Sequence, residues 1–243
     1  MKCEEVADTI QKWMRTKVKE AGARGVFVGV SGGIDSAVVA VLCKREFDEA
    51  VTGLIMPCES HEDDGMDAAA LCNQFAISTM TADLGTTYHS MLNQFSETLD
   101  CKLAGANLKS RLRMCALYYV ANVSNYLVVG TSNLTEVEIG YYTKYGDGGV
   151  DLEPLGSLYK THVRELATYL EVPERIITKP PSAGLWEGQT DEEEIGMTYE
   201  EMDNYLMKNY TQDGRLAKRI ISNQHKREMP PFCPVSSDLL KVN

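Results

Sequence analysis

The spacing of apolar residues changes period repeatedly along the chain. Within 3–21, Val6, Ile10, Trp13 and Met14 recur at helical spacing, which predicts an amphipathic helix burying those four side chains. The run VFVGV (26–30) is short and continuously apolar, the pattern of a strand covered on both faces. Further strands are predicted at VTGLIMP (51–57), AISTMTA (76–82) and YLVVG (126–130). Helical patterns occupy 37–47, 62–76, 87–99 and 106–124 between these strands, and 159–171, 198–208 and 214–227 after the last. Strands alternating with helices predict an α/β fold, a doubly wound parallel sheet with helices on both faces and a short helical C-terminal extension. The whole of 1–243 reads as one domain. Pro173 interrupts the pattern, and the polar segment 179–196 has no periodicity, so it is expected to be one long loop and a candidate lid.

Composition narrows the classes of partner. The chain is 44% hydrophobic and 24% charged, ordinary for a soluble globular protein. No stretch approaches the roughly 20 apolar residues of a membrane span, and the acidic start MKCEEVADTI is no secretory signal, so a cytoplasmic protein is expected. A formal charge of −11, with no basic stripe carrying aromatics, argues against nucleic acid. The seven cysteines are scattered, without Cys-x-x-Cys spacing, and are expected to be mostly small core residues rather than zinc ligands or disulfides.

Candidate chemistry begins where the first strand ends. Gly29 and Val30 lead into Ser31-Gly32-Gly33-Ile34-Asp35-Ser36, a turn that opens a helix. Adjacent glycines let backbone amides approach an anion, the helix N-terminus attracts it, and Ser31 and Ser36 can donate hydroxyls. No lysine follows the second glycine, so this is not the GxxxxGK[ST] loop. An aspartate stands there instead. Beside phosphates, Asp35 calls for a divalent cation, and Mg2+ is the usual partner of nucleotide phosphates. If the strand order is 3-2-1-4-5, Glu136 follows a neighbouring strand and faces the same crevice, where two carboxylates would suit octahedral magnesium.

SGGIDS resembles the pyrophosphate loop of the ATP pyrophosphatase superfamily, with its adenine nucleotide alpha-hydrolase-like fold. The run GTSNLTEVEIGYYTKYGDGGVDLEPLGSLYK (130–160) resembles NAD synthetases specifically. So do NLKSRLRMCALYYVAN (107–122), KPPSAGLWEGQTDEEEIG (179–196) and HKREMPP (225–231). The resemblance implies a ligase of NAD biosynthesis, in which ATP adenylates deamido-NAD and ammonia displaces AMP. It implies ATP binding by 29–36, Thr131, Lys160 and Ser182, and deamido-NAD binding by Arg111, Lys144, Asp151, His225 and Lys226. Asp35 and Glu136 would hold the metal, Lys160 would act as a mobile cation at the α-phosphate, and Asp147 would receive ammonium and take a proton. The 106–124 helix, with Arg111 and Arg113, would belong to a homodimer interface near the substrate. Glutamine-using relatives carry an extra amidase domain for which this chain has no room, so free ammonia, or ammonia from a separate protein, is the expected nitrogen source.

Two features stand apart from that picture. Lys144-Tyr145-Gly146-Asp147-Gly148-Gly149 is a three-glycine turn, expected to visit positive φ. Ser132-Asn133 stands where many relatives carry Asp-His, which leaves nucleotide contacts at those two positions in question and is expected to leave the metal pair unaffected. The competing readings are another amidating or thiolating enzyme of the superfamily, a nucleotide-binding regulator, and an interaction protein. A thiolase would call for a cysteine pair and a basic face, and a regulator would have lost residues such as Asp35, Glu136 and Lys160.

Overall fold

The computed structural model describes residues 1–95, 101–182, 184, 188–208 and 214–228. Four parallel strands, β1 (Val26–Gly29), β2 (Val51–Ile55), β3 (Ser78–Thr81) and β4 (Leu127–Val129), lie in the order β3-β2-β1-β4. Val26 of the central strand pairs with Val51 on one side and Leu127 on the other. The expected fifth strand is reduced, among the described residues, to a single parallel bridge between Val129 and Leu152. Two local features shorten it. The Asp151 carboxylate takes the Val128 amide at 2.8 Å in place of a carbonyl, and Pro154 brings no N–H to a ladder.

Side chains alternate across the sheet. Val26, Val28 and Val30 enter the larger core with α1 (Cys3–Glu20), α2 (Ile34–Phe47), α3 (Glu62–Gln74) and α7 (Lys160–Tyr169). Phe27 and Val128 face the other way, onto Ala121 of α5 (Lys102–Ser124), and α4 (Gly85–Leu92) packs against α5. Helix α2 is apolar all round because it runs through the middle of the core: Ala37 to Cys43 are entirely buried. On α1 the buried stripe is Ala7, Ile10, Met14 and Val18, and Trp13 sits at the margin, 37% exposed. The buried stripe is therefore centred on Ala7, Ile10, Met14 and Val18, and Val6 and Trp13 lie along its flank.

Three short helices break the predicted pattern: α6 (Leu134–Ile139), α8 (Glu174–Ile177) and α9 (Asp191–Ile195). Helix α9 lies inside the expected loop 179–196. Its first turn, Asp-Glu-Glu-Glu, reads as solvated charge but meets the positive helix end, and Thr190 caps it by accepting the Glu193 amide. Positions 183 and 185–187 of the expected lid, like 96–99 of the expected 87–99 helix, lie outside the described residues. Helices α6, α9, α10 (Tyr199–Met207) and α11 (Arg215–Arg227) share a second core built on Ile139, Ile195, Tyr199, Met202 and Leu216. That cluster is the C-terminal extension, and α10 packs it onto α7.

Cys43, Cys58 and Cys72 are buried and Cys3 is half-buried, but Cys101 and Cys115 are exposed, so only part of the set fills the core. Cys233 lies outside the described residues. No described helix is long and apolar enough to cross a membrane.

Candidate active site

The turn after β1 is held by its own serines. Ser36, buried on the first turn of α2, donates to the Gly33 carbonyl at 2.9 Å and accepts the Ser31 amide at 3.2 Å. The Ser31 hydroxyl lies 3.0 Å from it and accepts the Gly33 amide at 3.3 Å. The Ser36 hydroxyl is thus spent inside the turn, whereas Ser31 is exposed at its rim. Gly32 has φ +81°, and a Cβ there would lie 2.3 Å from the Asp64 carbonyl oxygen, so both conformation and space require glycine.

Asp35 and Glu136 do face one crevice. Asp35 stands in the first turn of α2 and Glu136 in that of α6, each helix starting where a neighbouring strand ends. Lys160, the first residue of α7, reaches between them, with Nζ 2.5 Å from Asp35 Oδ2 and 3.2 Å from Glu136 Oε1. Burial alone would lower the Lys160 pKa, but the two carboxylates outweigh it and raise it. Burial pushes Glu136 up to about 7 against the pull of Lys160. The expected mobile cation is in fact 2% exposed, because the space around it is filled: the Tyr199 ring centre lies 4.6 Å from Nζ. The backbone of Lys160 is fixed as well, its amide donating to Thr135 Oγ1 at 3.1 Å. Thr135 in turn bonds the buried Asp203, which also accepts the Thr161 amide.

Asn133 joins the two acidic positions. It caps α6 in a reciprocal box, accepting the Glu136 amide at 3.1 Å while its own amide donates to Glu136 Oε2 at 3.2 Å. Its Nδ2 donates to Asp35 Oδ1 at 2.9 Å. The departure at 132–133 was expected to leave this pair unaffected; instead the buried Asn133 bonds both of its carboxylates. Four more groups complete the surround and were not singled out in the sequence. Tyr199 donates its hydroxyl toward Glu136 and Asp191, at 3.1 and 3.0 Å, and Tyr141 reaches Asp191 at 3.1 Å. Glu153 lies under Gly130, where a Cβ would meet its Oε1 at 2.4 Å, and accepts the Ser132 amide at 3.1 Å. Burial raises it to about 8. Nothing in local spacing separates Asp191 or Glu153 from surface acids; the fold alone collects them.

A cavity of about 2020 Å³ opens on these groups, lined by 29–31, 33–36, Thr131, Glu136, Asp147, Lys160, Ser182 and Lys226. That volume exceeds the roughly 300–1,000 Å³ of common small-molecule sites and leaves room for more than one substrate. Asp147 Oδ1 accepts from Ser110 Oγ at 2.6 Å and from the Thr143 amide at 3.0 Å. The positive φ of this turn falls on Tyr145, at +59°, and not on its glycines. Gly146 and Gly148 serve close approach instead: a Cβ would come within 2.3 Å of Ser110 Oγ and 2.6 Å of the Tyr142 ring.

Gly32, Arg111, Lys144, Asp151 and His225 do not line this cavity. Arg111 donates to the Lys144 carbonyl at 3.3 Å, and Lys144 Nζ donates to the carbonyls of His225 at 2.5 Å and Glu228 at 3.0 Å. These three form one external patch. Asp151 stands beyond the edge of β4, bonded to Tyr118 at 3.0 Å. Lys226 donates to the carbonyls of Gly140 and Tyr142, and burial lowers its pKa.

The family profile described as NAD synthase matches residues 6–230. The NH(3)-dependent NAD(+) synthetase of Syntrophomonas wolfei is 50% identical over 250 residues, covering 98% of this chain and 99% of that protein. Among solved structures, an NMN synthetase from Francisella tularensis superposes with a TM-score of 0.90 at 35% identity, covering 97% of this chain and 100% of that one. An NH3-dependent NAD synthetase from Campylobacter jejuni gives 0.79 at 33% identity, with 96% and 99% covered.

Proposed function

The chain belongs to the NAD synthase family, and from that premise we propose that it joins ammonia to the carboxylate of deamido-NAD, converting ATP to AMP and pyrophosphate. The observation that carries this reading is the meeting of the 31–36 turn, the Asp35–Lys160–Glu136 cluster and Asp147 on one cavity. The backbone amides of the turn would hold the departing pyrophosphate at the N-terminus of α2. Thr131 and Ser182, on the cavity wall, are assigned to the nucleotide. Lys160, released from the carboxylates, would meet the charge growing on the α-phosphate as the substrate carboxylate attacks.

Asp35 and Glu136 suit Mg2+, since their oxygens already converge on one positive charge. Bound there with ATP, the ion would supply charge neutralisation at the phosphates. Asp147, fixed through one carboxylate oxygen by Ser110 and Thr143, would hold ammonium and accept its proton, because only neutral ammonia is a nucleophile.

The external patch of Arg111, Lys144 and His225 is assigned, with Asp151 and Lys226, to deamido-NAD. Arg111, Cys115, Tyr119 and Val123 follow one another at four-residue spacing along the outside of α5, and Tyr119 and Val123 are 73% and 72% exposed. We assign this stripe to a homodimer contact, which would bring a second chain beside the patch and complete the dinucleotide site.

A second reading, production of NMN in place of NAD, is favoured by the TM-score of 0.90 to the NMN synthetase. The test supplies purified chain with ATP, Mg2+ and ammonium, and with either deamido-NAD or its mononucleotide counterpart. Faster amide formation from deamido-NAD is expected. Preference for the mononucleotide would favour the second reading, and no amide from either acid would refute both.

A further inference from the structure

Helix α5 turns Leu103, Asn107, Ser110, Arg113 and Leu117 toward the cavity. Two lysines of the cavity wall face carboxylates: Lys160 has Asp35 and Glu136, and Lys179 has Asp64 and Asp67 at 2.6 and 2.8 Å. Arg113 differs. Its hydrogen bonds run from Nε to the Met56 carbonyl at 3.1 Å and from Nη2 to Ser60 Oγ at 3.0 Å, and neither acceptor is charged. A guanidinium has five N–H donors, so among the described residues Nη1 is left without an acceptor. Burial pulls the pKa of Arg113 down against the opposing pull of Cys58, Asp147 and Asp64.

The place of Arg113 gives that vacancy a meaning. It lies one turn beyond Ser110, whose hydroxyl fixes Asp147 at 2.6 Å, and the charges of Asp147 and Asp64 both reach it. It therefore stands between the 143–149 turn and the start of α3.

Building on the amidation reading above, we infer that Arg113 is the oxyanion donor of the second half-reaction, its unspent N–H groups receiving the charge that forms on the acyl oxygen when ammonia attacks from Asp147. The ammonia lone pair forms the C–N bond as the carbonyl π pair moves to oxygen. Asp147, having passed the ammonium proton on to solvent in the open cavity, then takes one proton from the attached nitrogen. The C=O bond then re-forms, the bond from carbon to the phosphate oxygen breaks, and AMP leaves with that electron pair. Lys160 is poorly suited to this role, because the amidation reading commits it to the α-phosphate in the first half-reaction.

The test separates the two halves of the reaction in the full chain. Acid-dependent exchange of labelled pyrophosphate into ATP reads adenylation, and amide formation reads the whole. Arg113→Gln is expected to slow amide formation by about 10²–10³-fold, the usual loss of one oxyanion donor, with much less effect on exchange. Arg113→Lys, which keeps the charge but not the fork, should recover part of the loss. Ser60→Ala cuts the tether to the loop while keeping the guanidinium, and should leave the ratio of exchange to amidation as in the wild type. Equal falls in both halves for Arg113→Gln and Arg113→Lys, reproduced by Ser60→Ala, would reduce Arg113 to a loop anchor and overturn the assignment. Wild-type chain that runs neither half would overturn the amidation reading itself, a separate result.

Discussion

Replacing Lys160 by methionine keeps the side chain's length and removes its charge from a site where it is 2% exposed. Asp35 and Glu136, at 2.5 and 3.2 Å from the ammonium, would then face each other without compensation. Removing one member of a buried ionic group typically costs about 3–5 kcal/mol, which for a chain of this size lowers the melting temperature by roughly 6–20 °C. Glu136 already stands at about 7 with Lys160 beside it, so without the lysine it would hold a proton at neutral pH. Mg2+ at the proposed site would restore the lost charge, and saturation to 100 times the dissociation constant stabilises by about 2.7 kcal/mol. Urea unfolding of Lys160→Met and wild type, each in chelator and in excess Mg2+ without nucleotide, provides the assay. The variant should be several kcal/mol weaker in chelator and gain more from Mg2+ than the wild type does. A loss below about 1 kcal/mol would refute the compensation argument. Identical Mg2+ shifts in both proteins would remove the carboxylate pair as the metal site.

Three other outcomes are expected. Glu153, raised from 4.5 to about 8, is neutral in the folded state and ionised in the unfolded chain at pH 7, so its contribution is complete below pH 4.5 and declines as pH climbs through about 8. Glu153→Gln should flatten the fall in stability across that window, by an amount on the order of 5 kcal/mol, and an unchanged pH profile in denaturant titrations would count against it. Asp147→Asn should slow amide formation, most strongly at low ammonium, while sparing acid-dependent pyrophosphate exchange; an unaltered amidation rate would dismiss Asp147 as the ammonia site. Tyr119→Asp on the outside of α5 should give monomers in light scattering and raise KM for deamido-NAD more than for ATP, whereas an unchanged mass would discard the proposed interface.

The sheet was readable because its strands are short apolar runs between helical periods. The 31–36 turn was readable because its glycines, serines and aspartate are consecutive. Glu136 required one further step, the adjacency of β1 and β4, and the observed strand order supplies it. Asp191, Tyr199 and Asp203 come from the C-terminal helices, more than 50 residues beyond Glu136, and no local period marks them as neighbours of Asp35. Asn133 was visible only as a departure, since its dual role depends on a helix too short to leave a periodic trace. The three-glycine turn was legible in part, for a related reason: it does visit positive φ, but at Tyr145 and not at a glycine. Sequence identifies a glycine but cannot distinguish unusual φ from crowding, and here Gly146 answers to a serine hydroxyl from another helix.

Helix α5 links two sides of the molecule that would otherwise be independent. Its inner edge holds the 143–149 turn through Ser110 and the segment after β2 through Arg113, while its outer edge carries Tyr119 and Val123. A rod gripping two loops on one side acts as an axle. A small roll about its axis carries Ser110 and Arg113 along the same arc, shifting both reaction walls together. Whatever presses on the outer edge thereby has mechanical leverage over the 143–149 turn and the segment after β2 at once.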